Sequence, residues 1–299
     1  MNEWPLLLFT FLMQTSIGLS VMLALFANKL SANLTGKTHA QFLLWYVFVA
    51  CVFAGIGLLS SITHLGVPLN APNSLLNIFS SWLSREVVFT ATYFAFLGLT
   101  FLWLWLKKEL SYLLLGLAII AGLCDMYAMA SIYRYTSMLT WMNDNTYLMF
   151  YGTMFTAGAA GYYLLINLLL RFNIGAVETQ ISTRGLWMLW TVIGVSLLVR
   201  LAYQPAYESY LVHTSYNNES ITFPIDSIHA YQGIWSLRIT SWVVGILAVM
   251  VLGYGLFRHI RQTANGVMTS SSKGYLVVGC TAAMVAEFML RYCFYTIHI

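Results

Sequence analysis

Glu287, Arg291, Tyr295 and His298 recur along one apolar stretch near the end of the sequence. On a helix turning about 100° per residue they form a single polar stripe, and a glutamate and an arginine four apart are close enough to pair. Gln14, Asp125, Arg200 and Arg238 stand in equally apolar surroundings, while His64 and Glu86 sit at the edges of apolar runs. Ionisable groups away from water are costly, so by default they mark ion pairs, pathways or sites. One chemistry suited to such a set is oxidation of a hydroquinone. That molecule is itself apolar, and it releases protons with its electrons, so it needs a hydrogen-bonding acceptor and a proton exit. An imidazole titrates near neutrality and can hand protons to water, and a rim carboxylate can share that work. The amide of Gln14 suits a ligand carbonyl or a neighbouring helix. The structural alternative makes Glu287 and Arg291 a neutralising pair, with Asp125 and Arg200 partnered by charges on adjacent helices.

The elements that position these groups follow from composition. The 299 residues are 60% hydrophobic and only 8% charged, with a mean hydropathy of +0.75. Soluble domains carry about 25% charged residues, so lipid must solvate most of this surface. A net charge of +4, scattered along the sequence, does not point to nucleic acid. About 20 apolar residues span a hydrocarbon core of about 30 Å. Eight stretches qualify: 5–27, 41–63, 86–106, 111–133, 147–170, 185–203, 235–257 and 274–297. Their continuous apolar character predicts helices rather than barrel strands. The reading is a single all-α transmembrane domain over residues 1–299, a bundle of eight transmembrane helices. No basic residue precedes the first run, so it reads as a retained helix rather than a signal peptide.

Charge in the connections orients the bundle. Lys29, Lys37, Lys107, Lys108, Arg171, Arg184, Arg258, Arg261 and Lys273 fall in connections on one side. Arg85 and Arg134 are the basic residues of the connections on the other, 64–85, 134–146 and 204–234. The positive-inside rule places the richer set in the cytoplasm and both termini outside. Trp4, Trp45, Trp82, Trp141 and Trp235 lie near span ends, as an interfacial belt would require. Long external connections usually meet something, so a partner docking on that face is expected.

With this orientation the intramembrane charges gather beneath the outer surface. Asp125 lies about 12 Å below the outer end of its span, Glu287 about 15 Å and Arg291 about 9 Å, from the helical rise. A haem held between two helices needs histidines at matching depth. Of His39, His64, His213, His229, His259 and His298, only His64 and His298 match, at the rim, so no haem is expected. Cys51, Cys124, Cys280 and Cys293 stand singly with no C-x-x-C pair, so no metal or cluster is expected in this protein.

The stretch His64-Leu65-Gly66-Val67-Pro68, then Asn77 and Ser81-Trp82-Leu83-Ser84-Arg85-Glu86, resembles the signature of the membrane anchor subunit of bacterial dimethyl sulfoxide reductase. Glu3-Trp4-Pro5-Leu6 and the closing Ala286-Glu287-Phe288, Arg291, Phe294-Tyr295 and His298 are similar to that family too, so the resemblance covers essentially the whole sequence. It implies an anchor in the bacterial inner membrane without haem, holding a four-cluster iron–sulfur subunit and a molybdopterin catalytic subunit. It also implies oxidation of menaquinol near the periplasmic face during anaerobic respiration, with electrons passed to the iron–sulfur partner. By the same resemblance His64 and Glu86 are the catalytic candidates. Gln14, Arg85, Glu287, Arg291 and Tyr295 complete the candidate quinol-binding set, mainly from depth and pattern. Val67 and Asn70 stand where many members carry basic residues, which bears on how the external loop meets its partner or tunes the site.

Two rival classes stay open at this point. A secondary transporter would show internal repeats and helices broken by Gly or Pro around a midplane site, whereas only five prolines occur and the polar groups favour one side. A purely structural anchor would never touch quinol, and binding of a quinol analogue separates it from the favoured reading.

Overall fold

The computed structural model describes residues 4–31, 37–64, 77–172, 183–217, 226–264 and 270–297. Among these residues the regular structure is entirely helical. In order the helices are α1 (Trp4–Ser31), α2 (Lys37–His64), α3 (Trp82–Lys107), α4 (Tyr112–Arg134), α5 (Asn145–Arg171), α6 (Thr183–Asn217), α7 (Ser227–Gly233), α8 (Trp235–Ala264) and α9 (Ser270–Thr296). All but the short α7 are long and apolar enough to cross a membrane, giving eight spans. The molecule is a multi-pass membrane protein. Because eight crossings alternate in direction, the start of α1 and the end of α9 lie at one end of the bundle, called the terminal end below.

The apolar runs locate the helices, and local chemistry trims their ends. Ser81 and Ser111 cap α3 and α4 by accepting from the backbone N–H groups of Ser84 and Leu114. Lys108 closes α3 in the left-handed region with φ 61°, and its N–H donates to the carbonyl of Leu104. The expected loop at 204–234 is corrected: α6 continues to Asn217, with Pro205 inside it, and α7 follows. The apolar run ends at residue 203 because the extension turns polar there, but its backbone hydrogen bonds do not depend on lipid. Asp226 caps α7 by accepting from the N–H of His229 at 3.0 Å.

Outward faces carry Leu59, Leu106, Leu113, Leu198 and Met250, all exposed, as a lipid-facing surface requires. The most buried spans are α1 and α5. They approach closely because both are glycine at the crossing. A Cβ on Gly18 would stand 2.2 Å from the carbonyl oxygen of Met154, and one on Gly158 would stand 2.6 Å from the backbone of Gly18. Without a hydrophobic force between helices in lipid, such close packing is what holds spans together. Trp4, Trp45 and Trp235 are exposed as an interfacial belt needs, but Trp141 is buried in the bundle, its indole N–H donating to the carbonyl of Phe294 at 2.9 Å.

Candidate functional site

Seven ionisable side chains of the His, Asp, Glu and Arg types are buried among the described residues: Glu86, Asp125, Arg200, Arg238, His259, Glu287 and Arg291. His259 lies near the far end of α8; the other six occupy the half of the bundle toward the terminal end. Five of these six sort into two systems that differ in how charge is balanced, while Arg238 is held by Gln204 and Tyr231.

The first joins α5, α6 and α9. Arg200 Nη1 donates to Glu287 Oε2 at 2.8 Å, and Nη2 donates to Oε1, a bidentate pair with both partners buried. Thr153 Oγ1 donates to the same carboxylate at 2.9 Å, and Arg200 Nε donates to the carbonyl of Ser196. Arg200 fits because position 152 is glycine: a Cβ there would stand 2.4 Å from the arginine Cδ. This corrects the expected pairing of Glu287 with Arg291. The two share a face of α9, but a guanidinium arriving from α6 offers two parallel donors, which an i,i+4 neighbour on the same helix does not match. It also answers the question left open for Arg200. Beside the pair, an apolar cleft of about 420 Å³ opens between α5 and α6, lined by Leu148, Phe155, Val195, Val199 and Arg200 among others.

The second system lacks such neutralisation. Arg291 Nη2 donates to Gln14 Oε1 on α1, so Gln14 meets a neighbouring helix, the commoner of its two expected roles. Nε and Nη1 of Arg291 are buried with no hydrogen-bond partner among the described residues. The guanidinium carbon lies 4.0 Å from the Phe150 ring centroid, a cation–π contact. One turn along α9, the Tyr295 hydroxyl donates to Thr10 Oγ1 at 3.2 Å and lies 2.9 Å from the Tyr133 hydroxyl. Arg291 and Glu86 both act electrostatically on this phenol pair. Glu86, five residues into α3, is itself buried and within electrostatic reach of Asp125. Asp125 does not meet a cation as expected: its Oδ1 accepts from Thr90 Oγ1 at 2.7 Å, and its Oδ2 has no partner among the described residues.

Of the residues singled out from sequence, Gln14, Glu86, Arg291 and Tyr295 therefore gather in one region, while Glu287 is held one turn away by Arg200. Arg85 is engaged elsewhere: Nε donates to the carbonyl of Ile78 at 2.9 Å, Nη2 to that of Phe79 at 2.7 Å, and its guanidinium lies over the Trp82 ring. That arrangement ties the segment before α3 to the start of the helix. His64 ends α2, but its side chain lies outside the described residues, as do all of Val67, Asn70 and His298. Thr10, Thr90 and Tyr133 were not anticipated. A hydroxyl in an apolar run carries little cost and so little signal, and Tyr133 is one of 19 tyrosines in the sequence.

The sequence is similar to known proteins over most of its length. A family model described as DMSO reductase anchor subunit (DmsC) matches residues 1–296. The C subunit of the anaerobic dimethyl sulfoxide reductase of Haemophilus influenzae is 28% identical over 261 residues, covering 84% of this protein and 88% of that one. The C subunit of the Escherichia coli enzyme is 33% identical over 176 residues, 56% of this protein and 58% of that one. The anaerobic dimethyl sulfoxide reductase subunit YnfH of Escherichia coli is 33% identical over 162 residues, 52% and 55% of the two. With eight apolar spans in the structure and a family match that runs almost from end to end, the protein belongs to the dimethyl sulfoxide reductase anchor subunit family.

Proposed function

We propose that this protein binds menaquinol beneath the periplasmic face of the bacterial inner membrane and oxidises it, passing the electrons to the iron–sulfur subunit of a dimethyl sulfoxide reductase. In this reading the terminal end of the bundle is the periplasmic end, as the distribution of Lys and Arg in the connections favours. The partners are a four-cluster iron–sulfur subunit and, through it, a molybdopterin catalytic subunit, both docked at that end. Anchor-subunit membership supports the partnership with a reductase; the particular subunits and the electron route are the proposal.

The observation that carries the reading is Arg291. A guanidinium keeps its charge and offers donors only, and this one is buried with two of its nitrogens, Nε and Nη1, unclaimed among the described residues, beside a phenol pair and a buried carboxylate. A quinol oxygen that becomes a carbonyl is an acceptor of the kind those donors lack, and its developing negative charge is stabilised by them. Gln14 orients the guanidinium by accepting from Nη2. Oxidation converts menaquinol to menaquinone, releasing two electrons to the partner's clusters and two protons to His64 and Glu86. Both residues stand at the terminal end of their helices, from which protons reach periplasmic water.

The test uses the intact membrane complex with His64→Ala or Glu86→Gln. Quinol-driven turnover is expected to fall by about 10²–10⁴-fold, the range for loss of a general acid–base group. Turnover driven by a reduced viologen, which bypasses the quinol site, is expected to stay within about twofold, as for a scaffold left intact. Near-normal quinol oxidation in both variants overturns the assignment.

A further inference from the structure

Among the described residues are two small cavities whose walls differ in kind. One, of about 10 Å³, is bounded by Leu189, Ile193, Leu252, Leu276 and the Cys280 thiol. The other, of about 30 Å³, lies toward the terminal end among α5, α6, α8, α9 and the connection before α5. Three of the residues lining it each carry a buried polar atom with no hydrogen-bond partner among the described residues: Thr140 Oγ1, Arg238 Nη1 and Trp242 Nε1. Each belongs to a residue more than nine-tenths buried.

Arg238 is held in place by the rest of its guanidinium. Nη2 donates to Gln204 Oε1 at 3.1 Å and to the Tyr231 hydroxyl, and the group lies 3.4 Å from the Tyr231 ring centroid. Tyr231, on α7 outside the spans, has its phenol held above the ordinary value by burial, with the Arg238 charge pulling the other way. No carboxylate forms an ion pair with Arg238 among the described residues. A cation and two further polar groups, carried by two different parts of the sequence, therefore converge on one small space that must supply acceptors.

We infer that this cavity is a built-in hydration site, occupied by about two water molecules that solvate Arg238 inside the membrane-spanning region. Volume selects water: a buried water needs about 10–15 Å³ of such space and two to four polar partners, whereas a phosphate or a lipid headgroup needs more. Thr140, Arg238 and Trp242 supply the donors. Asn145 and Gln204 also line the wall, and their amide oxygens can receive the protons of the waters. The site stiffens a joint that matters elsewhere, because Gln204 Nε2 donates to the carbonyl of Arg200, the residue paired with Glu287.

Two buried thiols make the test. Cys293 lies on the wall of the polar cavity and Cys280 on that of the apolar one, and they are similarly buried, at 4% and 3% exposure. X-ray radiolysis of the intact complex makes hydroxyl radicals from bound water in place, and mass spectrometry locates the oxidised side chains. Cys293, and Met149 on the same wall, are expected to be labelled about tenfold faster than Cys280 and the buried Met154, since apolar cavities stay dry. Thr140→Val with Trp242→Phe removes two donors and is expected to lower Cys293 labelling toward that of Cys280 with assembly retained. Equal slow labelling of Cys293 and Cys280 in the native complex overturns the inference, whether or not that variant assembles. So does native mass spectrometry that finds an acidic phospholipid bound stoichiometrically and lost in Arg238→Gln, which would make the occupant an anion. Neither result bears on quinol oxidation, so the two readings stand or fall separately.

Discussion

Replacing Glu287 by glutamine changes almost no volume, yet it leaves Arg200 charged, buried and without a counter-ion. The native carboxylate accepts two bonds from Arg200 and one from Thr153; an amide has only one oxygen to offer and turns a donor toward the guanidinium. Breaking a buried ion pair by removing one partner costs about 3–5 kcal/mol, whereas replacing both with apolar residues is often neutral or stabilising by about 1–4 kcal/mol. Glu287→Gln and Arg200→Met are each expected to destabilise the protein by about 3–5 kcal/mol, and Arg200→Met with Glu287→Met to recover most of that loss. Methionine suits position 200 because its slim thioether stem can follow the path of the arginine over Gly152. Reversible unfolding in mixed micelles, followed by tryptophan fluorescence, measures the native protein and all three variants. A second readout separates scaffold from chemistry. Every nitrogen of Arg200 already has a protein acceptor, so the doubly substituted protein, once assembled with its partners, is expected to keep quinol-driven turnover. The reasoning is refuted if Glu287→Gln costs less than about 1 kcal/mol, the scale of an exposed pair, or if the double variant is no more stable than either single one.

Arg291→Leu is expected to abolish most quinol-driven turnover while sparing viologen-driven turnover, and Arg291→Lys to restore only part of it, because a point charge does not reproduce the guanidinium fork; steady-state kinetics on the intact complex decide this. Gly18→Ala drives a Cβ onto the backbone of α5, so assembly yield and thermal stability should fall by more than the about 1–3 kcal/mol of ordinary overpacking. Gly116→Ala meets nothing within 4 Å and should gain up to about 1 kcal/mol of helix propensity in the same unfolding assay. For orientation, Ser137→Cys, between α4 and α5, should react with a membrane-impermeant maleimide added to intact spheroplasts. Glu109→Cys, between α3 and α4, should react only after permeabilisation; the reverse pattern would put the polar half of the bundle under the cytoplasmic surface.

The spans were legible because hydropathy reports the solvent, and each apolar run coincides with a helix to within a few residues except where a helix outlives its lipid. α8 does so as far as Ala264 and α6 as far as Asn217; the extension of α6 past Tyr203 is stabilised by contacts that hydropathy does not see: the Tyr207 hydroxyl donates to the carbonyl of Thr140 at 2.7 Å and that of Tyr210 to Leu139 at 3.1 Å. Depth was legible as well, and it placed Glu86, Asp125, Arg200, Glu287 and Arg291 in one half of the bundle. Partnership was not. Spacing along α9 suggested Glu287 with Arg291, but which partner a carboxylate meets depends on how α6 and α5 rotate against α9, and that rotation is set by Gly152 making room for the Arg200 stem. Asp125 shows the same limit from the other side: its partner is the hydroxyl of Thr90, a residue type too common in apolar helices to be noticed.

What distinguishes the three buried arginines is the means by which each charge is tolerated. Arg200 has a carboxylate across from it and belongs to the architecture. Arg291 and Arg238 have none among the described residues, yet a guanidinium does not lose its proton to escape burial, so each calls for solvation by something other than these carboxylates. Their surroundings differ accordingly. Arg238 borders a space of water size, lined also by Trp242 and Thr140, whose indole nitrogen and hydroxyl have no partner among the described residues. Arg291 sits against an aromatic ring and a phenol pair, surroundings that match the flat, apolar body and oxygen-bearing edge of a quinone ring better than they match water. If Arg291 were neutralised as Arg200 is, its donors would be occupied and no reason would remain to place substrate there. The quinol reading thus depends less on how many polar groups lie in this half of the bundle than on one of them being left unpaired.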